Sequence, residues 1–132
     1  MQIASPTAGH FCWADLAATD AEAARQFYAR LFGWAGQDQA ANGGRFTRLL
    51  HQGSSVGSLY QLGRAQLRQG APSHWTPYVQ VEDLDATIRQ AALLGGRVAV
   101  RPFLVDGMAQ IALILDAVGA PIGLWQPLAA AA

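Results

Sequence analysis

The chain has no lysine. All nine of its basic residues are arginines, nine acids balance them to a formal net charge of zero, and only 14% of its 132 residues are charged. The arginines are scattered, so they form neither the basic footprint that holds nucleic acid nor a polybasic membrane patch. A single cysteine, Cys12, excludes an internal disulfide and fits a reducing compartment. No apolar run approaches the roughly 20 residues of a membrane span; "IALIL" (Ile111 to Leu115) reads as a buried strand. The opening "MQIASPTAG" has neither the basic start nor the apolar run of a signal peptide, so a soluble, cytoplasmic protein is expected. There is no nucleophile motif, no glycine-rich phosphate loop and no paired carboxylates. What remains is a chain that is 52% hydrophobic, enough for one compact domain over residues 1–132.

That domain says nearly the same thing twice. In "HFCWADLAATDAEAARQFYARLFGW" (His10 to Trp34) a short strand pattern leads into a helix. Thr19 or Asp20 can cap it, and Thr19 with Glu22 has capping-box spacing. Ala24, Phe27, Tyr28 and Leu31 form an apolar stripe, and Gly33 stops the helix. In the second half "TPYVQVEDL" is the strand pattern and Asp83 the cap. Leu84, Ile88, Ala91 and Ala92 line the helix face, and Gly95-Gly96 ends it. Three apolar segments follow each helix: Trp34–Gln37, Arg45–Leu50 and Ser55–Leu62, then Arg97–Phe103, Met108–Leu115 and Pro121–Gln126. The last of each set echo one another, "GSLYQL" (Gly57 to Leu62) against "IGLWQP" (Ile122 to Pro127), with matching points about 63 to 65 residues apart. The reading is α+β: two βαβββ modules, about 8–62 and about 75–127, joined by the linker 63–74, "GRAQLRQGAPSH".

The motifs carried by Asp20, Phe27, Tyr28 and Leu31 to Trp34, by Val81 to Asp85 ("VEDLD"), by Leu94 to Gly96 ("LGG") and by Asp116 to Trp125 ("DAVGAPIGLW") resemble those of the vicinal oxygen chelate superfamily. This superfamily contains glyoxalase I, extradiol dioxygenases and bleomycin-resistance proteins. Ala117 stands where the family's final turn has proline. The resemblance implies a curved, eight-stranded, barrel-like sheet with helices outside and a site in the cup between the modules. It also implies a homodimer and, in the enzymes, a divalent metal on four side chains.

Carried over residue by residue, those four ligand positions fall on Trp13, Ser58, Thr76 and Gly123. None has a side chain that holds zinc, nickel or iron. Strand parity sets Phe11 and Trp13 on the inner side of the first strand, with Cys12, Ala14 and Leu16 against the helix, where Cys12 would be a buried, inert thiol. Thr76 and Tyr78, Ser58 and Tyr60, and Gly123 and Trp125 share the inner side of their strands; the parity of Arg48 stays open. The expected ligand-binding set is therefore Phe11, Trp13, Arg48, Ser58, Tyr60, Thr76, Tyr78 and Trp125, with no metal, no cofactor and no catalytic residue. Such an aromatic lining with a few hydroxyls suits a small aromatic or apolar organic molecule. Two other readings stay open: a metal-dependent lyase or dioxygenase of the superfamily, and a ligand-free interaction protein with rings packed as core.

Overall fold

Both helices form between the expected stops in the computed structural model, which describes residues 7–41 and 44–128. Helix α1 spans Ala21–Phe32, and the Asp20 side chain accepts from the Ala23 N–H at 3.0 Å. Asp20 is thus the cap, and the Thr19–Glu22 capping box does not form. The Thr19 and Ser73 hydroxyls lie 3.1 Å apart, while Glu22 accepts from the Gln26 amide at 3.2 Å. Gly33 ends the helix at φ 75°, a left-handed conformation that side chains with a Cβ resist.

Among the described residues eight strands accompany the helices: β1 (Phe11–Ala18), β2 (Ala35–Ala41), β3 (Gly44–His51), β4 (Ser54–Gln61), β5 (His74–Gln80), β6 (Arg97–Val105), β7 (Ala109–Leu115) and β8 (Pro121–Pro127). The expected α+β class and the repeated βαβββ order are therefore present. One element was not anticipated. Within the linker, Arg64–Arg68 form a short helix, α2, begun where the Gln66 side chain accepts from the Gly63 N–H at 3.0 Å. A single turn has no room for the periodicity that reveals longer helices. The second long helix, α3, spans Leu84–Leu93 and is capped by Asp83, whose carboxylate accepts from the Ala86 N–H at 3.0 Å.

The chain divides into two units, one of residues 14–76 and one of 77–132 together with the segment ending at Trp13. In the 14–76 unit the strand order is β1–β4–β3–β2, with β1 parallel to β4 and the other pairs antiparallel. Leu16, Ala18, Leu49 and Leu59 pack beneath Ala21, Ala24 and Tyr28 of α1. Burying each of these leucines contributes about 1.5–3 kcal/mol. Phe27 and Leu31, expected in that stripe, are instead 58% and 57% exposed. The residues facing the sheet are spaced Ala21, Ala24, Tyr28, which turns Phe27 and Leu31 off the contact line.

In the other unit the order is β5–β8–β7–β6, again with one parallel pair, β5 with β8. Val81, Leu84, Ala112, Ile114 and Leu124 form its core, with Ile88 and Ala91 of α3 against it. Ala92, expected on that face, is exposed. Gly9 and His10 join this unit: the Gly9 N–H donates to the Gln80 carbonyl at 2.8 Å, and the Gln80 N–H to the His10 carbonyl at 2.9 Å.

The echo between the two last strands has a physical cause. The Gln61 side chain accepts from the Ala21 N–H at 2.8 Å, and Gln126 accepts from the Leu84 N–H at 2.7 Å. Each module thus uses the glutamine of its final strand to satisfy a donor at the start of its own helix, where backbone N–H groups lack intrahelical partners. The Ala117 turn also holds without proline, because the Asp116 carboxylate accepts from the N–H groups of Val118 and Ala120, each at 2.9 Å.

Candidate ligand-binding face

In the 14–76 unit the register draws one polar row across the sheet. Asp15 on β1 lies opposite Ser58 on β4, Ser58 opposite Arg48 on β3, and Arg48 opposite Gln37 on β2. Tyr60 is two residues along β4 from Ser58, and Phe46 two along β3 from Arg48, so both share this face. The alternate residues Leu16, Leu49 and Leu59 take the opposite face, under α1. The parity of Arg48, open in the sequence, is thereby fixed beside Ser58.

The row is chemically organised around Asp15. The Ser58 hydroxyl donates to Asp15 Oδ1 at 2.7 Å, and Ser58 is buried while Asp15 is half-buried. Protein atoms crowd the carboxyl even though the residue keeps some accessible surface. That desolvation pushes its pKa from the ordinary 3.8 up to about 7, against the Ser58 hydrogen bond, which pulls it down. Tyr60, half-buried, has its phenol raised above the ordinary value, first by burial and then by the charge of Asp15. Arg48 donates from Nε to the Ser55 hydroxyl at 2.6 Å. On the same face Gln39, opposite Phe46, keeps a buried Oε1 with no hydrogen-bond partner.

The unit of 77–132 and the first residues holds an aromatic cluster. The Trp13 and Trp125 rings stack at 4.9 Å and 26°, and Tyr78 meets Trp125 edge-on at 6.2 Å. Both indoles are half-buried, whereas Tyr78 is 2% exposed and packs as core. Tyr78 lies opposite Gly123, and a Cβ built on Gly123 would fall on the Tyr78 ring. Phe11, expected beside Trp13, is 65% exposed at the start of β1. Thr76 is buried in the 14–76 unit. Cys12 is half-buried, and burial lifts its thiol to about 11, which keeps it protonated and unreactive at neutral pH.

Of the eight expected residues, the structure brings Arg48, Ser58 and Tyr60 onto one face of one unit, and Trp13, Tyr78 and Trp125 into one cluster of the other. Asp15 was not among the expected residues, although an acid two residues beyond Trp13, with the same parity and inside an apolar strand, carries the signal.

A family model for a glyoxalase-like domain matches residues 12–123. The chain belongs to the glyoxalase-like family. This places it in the vicinal oxygen chelate superfamily, as the motifs implied. A Mycobacterium tuberculosis protein that carries a glyoxylase name, CFP32, is 33% identical over 116 residues, covering 86% of this chain and 44% of that protein. The anthracycline biosynthesis protein DnrV of Streptomyces peucetius is 30% identical over 127 residues, covering 86% of this chain and 46% of the relative. The glyoxalase-like chain thus spans less than half the length of these relatives. Among solved structures, methylmalonyl-CoA epimerase from Mycobacterium tuberculosis superposes with a TM-score of 0.67 at 20% identity, covering 97% of this chain and 94% of the epimerase. At that identity the likeness is one of fold.

The side chains at the four positions expected from the superfamily's metal site, Trp13, Ser58, Thr76 and Gly123, are not ones that fit a metal. The Trp13 ring is stacked on Trp125, the Ser58 hydroxyl is engaged with Asp15, and the space at Gly123 is filled by Tyr78. Thr76 supplies only a neutral hydroxyl. Among the described residues, no three His, Cys, Asp or Glu side chains gather where they could hold an ion. Among the same residues no helix is long and apolar enough to cross a membrane.

Proposed function

We propose that this glyoxalase-like chain binds a small planar aromatic molecule without a metal, through the polar face of residues 14–76. The observation that carries the reading is the row of Asp15, Ser58 and Arg48, with Tyr60 beside it: a carboxyl, two hydroxyls and a guanidinium on one partly accessible sheet face. Binding sites of this kind orient an apolar ligand with a few polar groups. The unpartnered Gln39 Oε1 offers one more acceptor, and Phe46 a ring against which a planar ligand can lie. In the other unit the half-buried stack of Trp13 and Trp125 independently favours an aromatic ligand. The relatives are compatible with this, since DnrV is named for anthracycline biosynthesis. A homodimer, as the superfamily resemblance implies, in the reducing compartment that the single cysteine suggests, completes the reading.

Titration with naphthol and with daunorubicin, followed by tryptophan fluorescence and by saturation-transfer NMR, tests it. Saturable binding that survives a chelator and weakens in Tyr60→Ala and Arg48→Ala is expected. Binding that appears only with an added divalent metal, or that ignores both substitutions, refutes it.

A further inference from the structure

The hairpin of β3 and β4 carries a serine where plain strand alternation would not put it. Arg48 pairs with Ser58 and Leu49 with Gly57, but Leu50 pairs with Ser55, so Val56 is an extra residue on β4. Without that bulge Ser55, three residues before Ser58, would take the helix side of the sheet; with it, Ser55 shares the face of Arg48. There its hydroxyl accepts from Arg48 Nε at 2.6 Å. We infer that Arg48, held by Ser55, is an anion seat, and that the ligand of this face is a fused-ring aromatic carboxylate whose two oxygens pair with the end of that guanidinium. The inference rests on the aromatic-binding reading above and adds to it the charge and the length of the ligand.

The charge follows from what surrounds the guanidinium. It has five N–H donors, and Nε gives its one to Ser55. The terminal nitrogens, Nη1 and Nη2, form the edge that meets a carboxylate in two parallel hydrogen bonds. Among the described residues no carboxylate comes within ion-pair distance of Arg48; Asp38 pairs with Arg25 at 3.3 Å and also accepts from Thr47, on the helix side. Asp15, the acid of the same face, lies beyond Ser58 and takes the Ser58 hydroxyl at 2.7 Å. Arg48 is half-buried. A neutral ring laid over it would remove water from an unpaired charge, whereas an anion compensates that loss. With one cation and one acid among the described side chains of this face, a singly charged group is matched and a doubly charged phosphate is repelled.

The length follows from strand geometry. Phe46 lies two residues along β3 from Arg48, and Tyr60 two along β4 from Ser58. Because the strands are antiparallel, both steps run the same way, so the two rings belong to one row. That row is about 7 Å from the row of Arg48. A carboxylate on a single benzene ring, seated at Arg48, leaves those rings uncovered. A fused pair of rings reaches them and stacks there.

The test titrates the full chain with 2-naphthoate, 2-naphthamide and benzoate, with affinity read by calorimetry and contact by saturation-transfer NMR. 2-Naphthoate should bind at least about tenfold more tightly than 2-naphthamide, which keeps the shape and lacks the charge, and than benzoate, which keeps the charge and lacks the length. Arg48→Gln should erase the difference between naphthoate and naphthamide. Arg48→Lys should restore only part of it, since an ammonium carries the charge without the fork. Ser55→Ala should weaken naphthoate more than naphthamide, because the guanidinium loses its anchor. Equal affinity for naphthoate and naphthamide in the unaltered chain overturns the anion seat and leaves the aromatic reading standing. A preference for naphthoate that persists in Arg48→Gln overturns the assignment to Arg48, and benzoate binding as tightly as naphthoate overturns the length. If none of the three binds, both readings fall. Should Arg48→Gln fail to fold, by circular dichroism, the naphthoate preference of the unaltered chain and its reduction in Ser55→Ala decide.

Discussion

Replacing Asp15 by asparagine should stabilise the protein at neutral pH and leave it unchanged in acid. Burial lifts this carboxyl from the ordinary 3.8 to about 7, so the folded state resists its ionisation while the unfolded chain does not. Each pH unit between the two values is worth about 1.4 kcal/mol, so the charged form destabilises the fold by at most about 4 kcal/mol. The sign follows from proton counts. Below about pH 4 both states hold the proton and Asp15 contributes no pH dependence. Between about pH 4 and 7 the folded state keeps a proton that the unfolded chain has lost, so stability falls as pH rises; above that range the loss is complete. The Asp15→Asn variant carries no charge at this position and should lack this slope. Urea denaturation of both proteins at about pH 4, 6 and 8 isolates the effect, because all other groups titrate alike in the pair and cancel. The advantage of Asp15→Asn should grow from near zero to as much as about 4 kcal/mol across that series. A difference that stays constant with pH would refute the burial argument. A group that lowers stability where the protein works is the kind retained for what it does to a ligand.

Other outcomes follow from the packing. Gly123→Ala should destabilise by about 1–3 kcal/mol, since its Cβ falls on the buried Tyr78 ring, and Gly123→Glu should yield no melting-temperature gain from added zinc. Gln61→Leu should lose about 0.5–1.5 kcal/mol in chemical denaturation by removing the exposed bonds to the Ala21 N–H and the Thr19 carbonyl, and Gln126→Leu somewhat more, because its bond to the Leu84 N–H is part-buried. Leu59→Ala, at a fully buried position, should cost about 2–5 kcal/mol, measured the same way.

How much of this was legible in the chain depends on whether the determinant was local. Asp20, Gly33 and Asp83 announce helix ends because capping involves neighbours within a turn. The repeated glutamines of "LYQ" and "LWQ" were visible as an echo, but their role needed the fold, since each reaches a helix start some 40 residues back. Parity alone placed Ser58 and Tyr60 on one side of β4. It could not place Arg48, because the chain also carries a register shift between Leu49 and Leu50. Phe27 and Leu31 misled because an apolar stripe wider than the contact line looks the same in one dimension. Asp15 went unnoticed for a related reason: its partner lies on β4, and only the parallel pairing of β1 with β4 turns an isolated acid into a hydrogen-bonded, desolvated one.

The most direct measurement of the central claim is daunorubicin binding by the chelator-treated protein and its Tyr60→Ala and Arg48→Ala variants, read by ligand fluorescence. The account predicts saturable binding unaffected by the chelator and weakened at least about tenfold, about 1.4 kcal/mol, in each variant. Binding that requires an added divalent ion, or equal affinity in all three proteins, would contradict it.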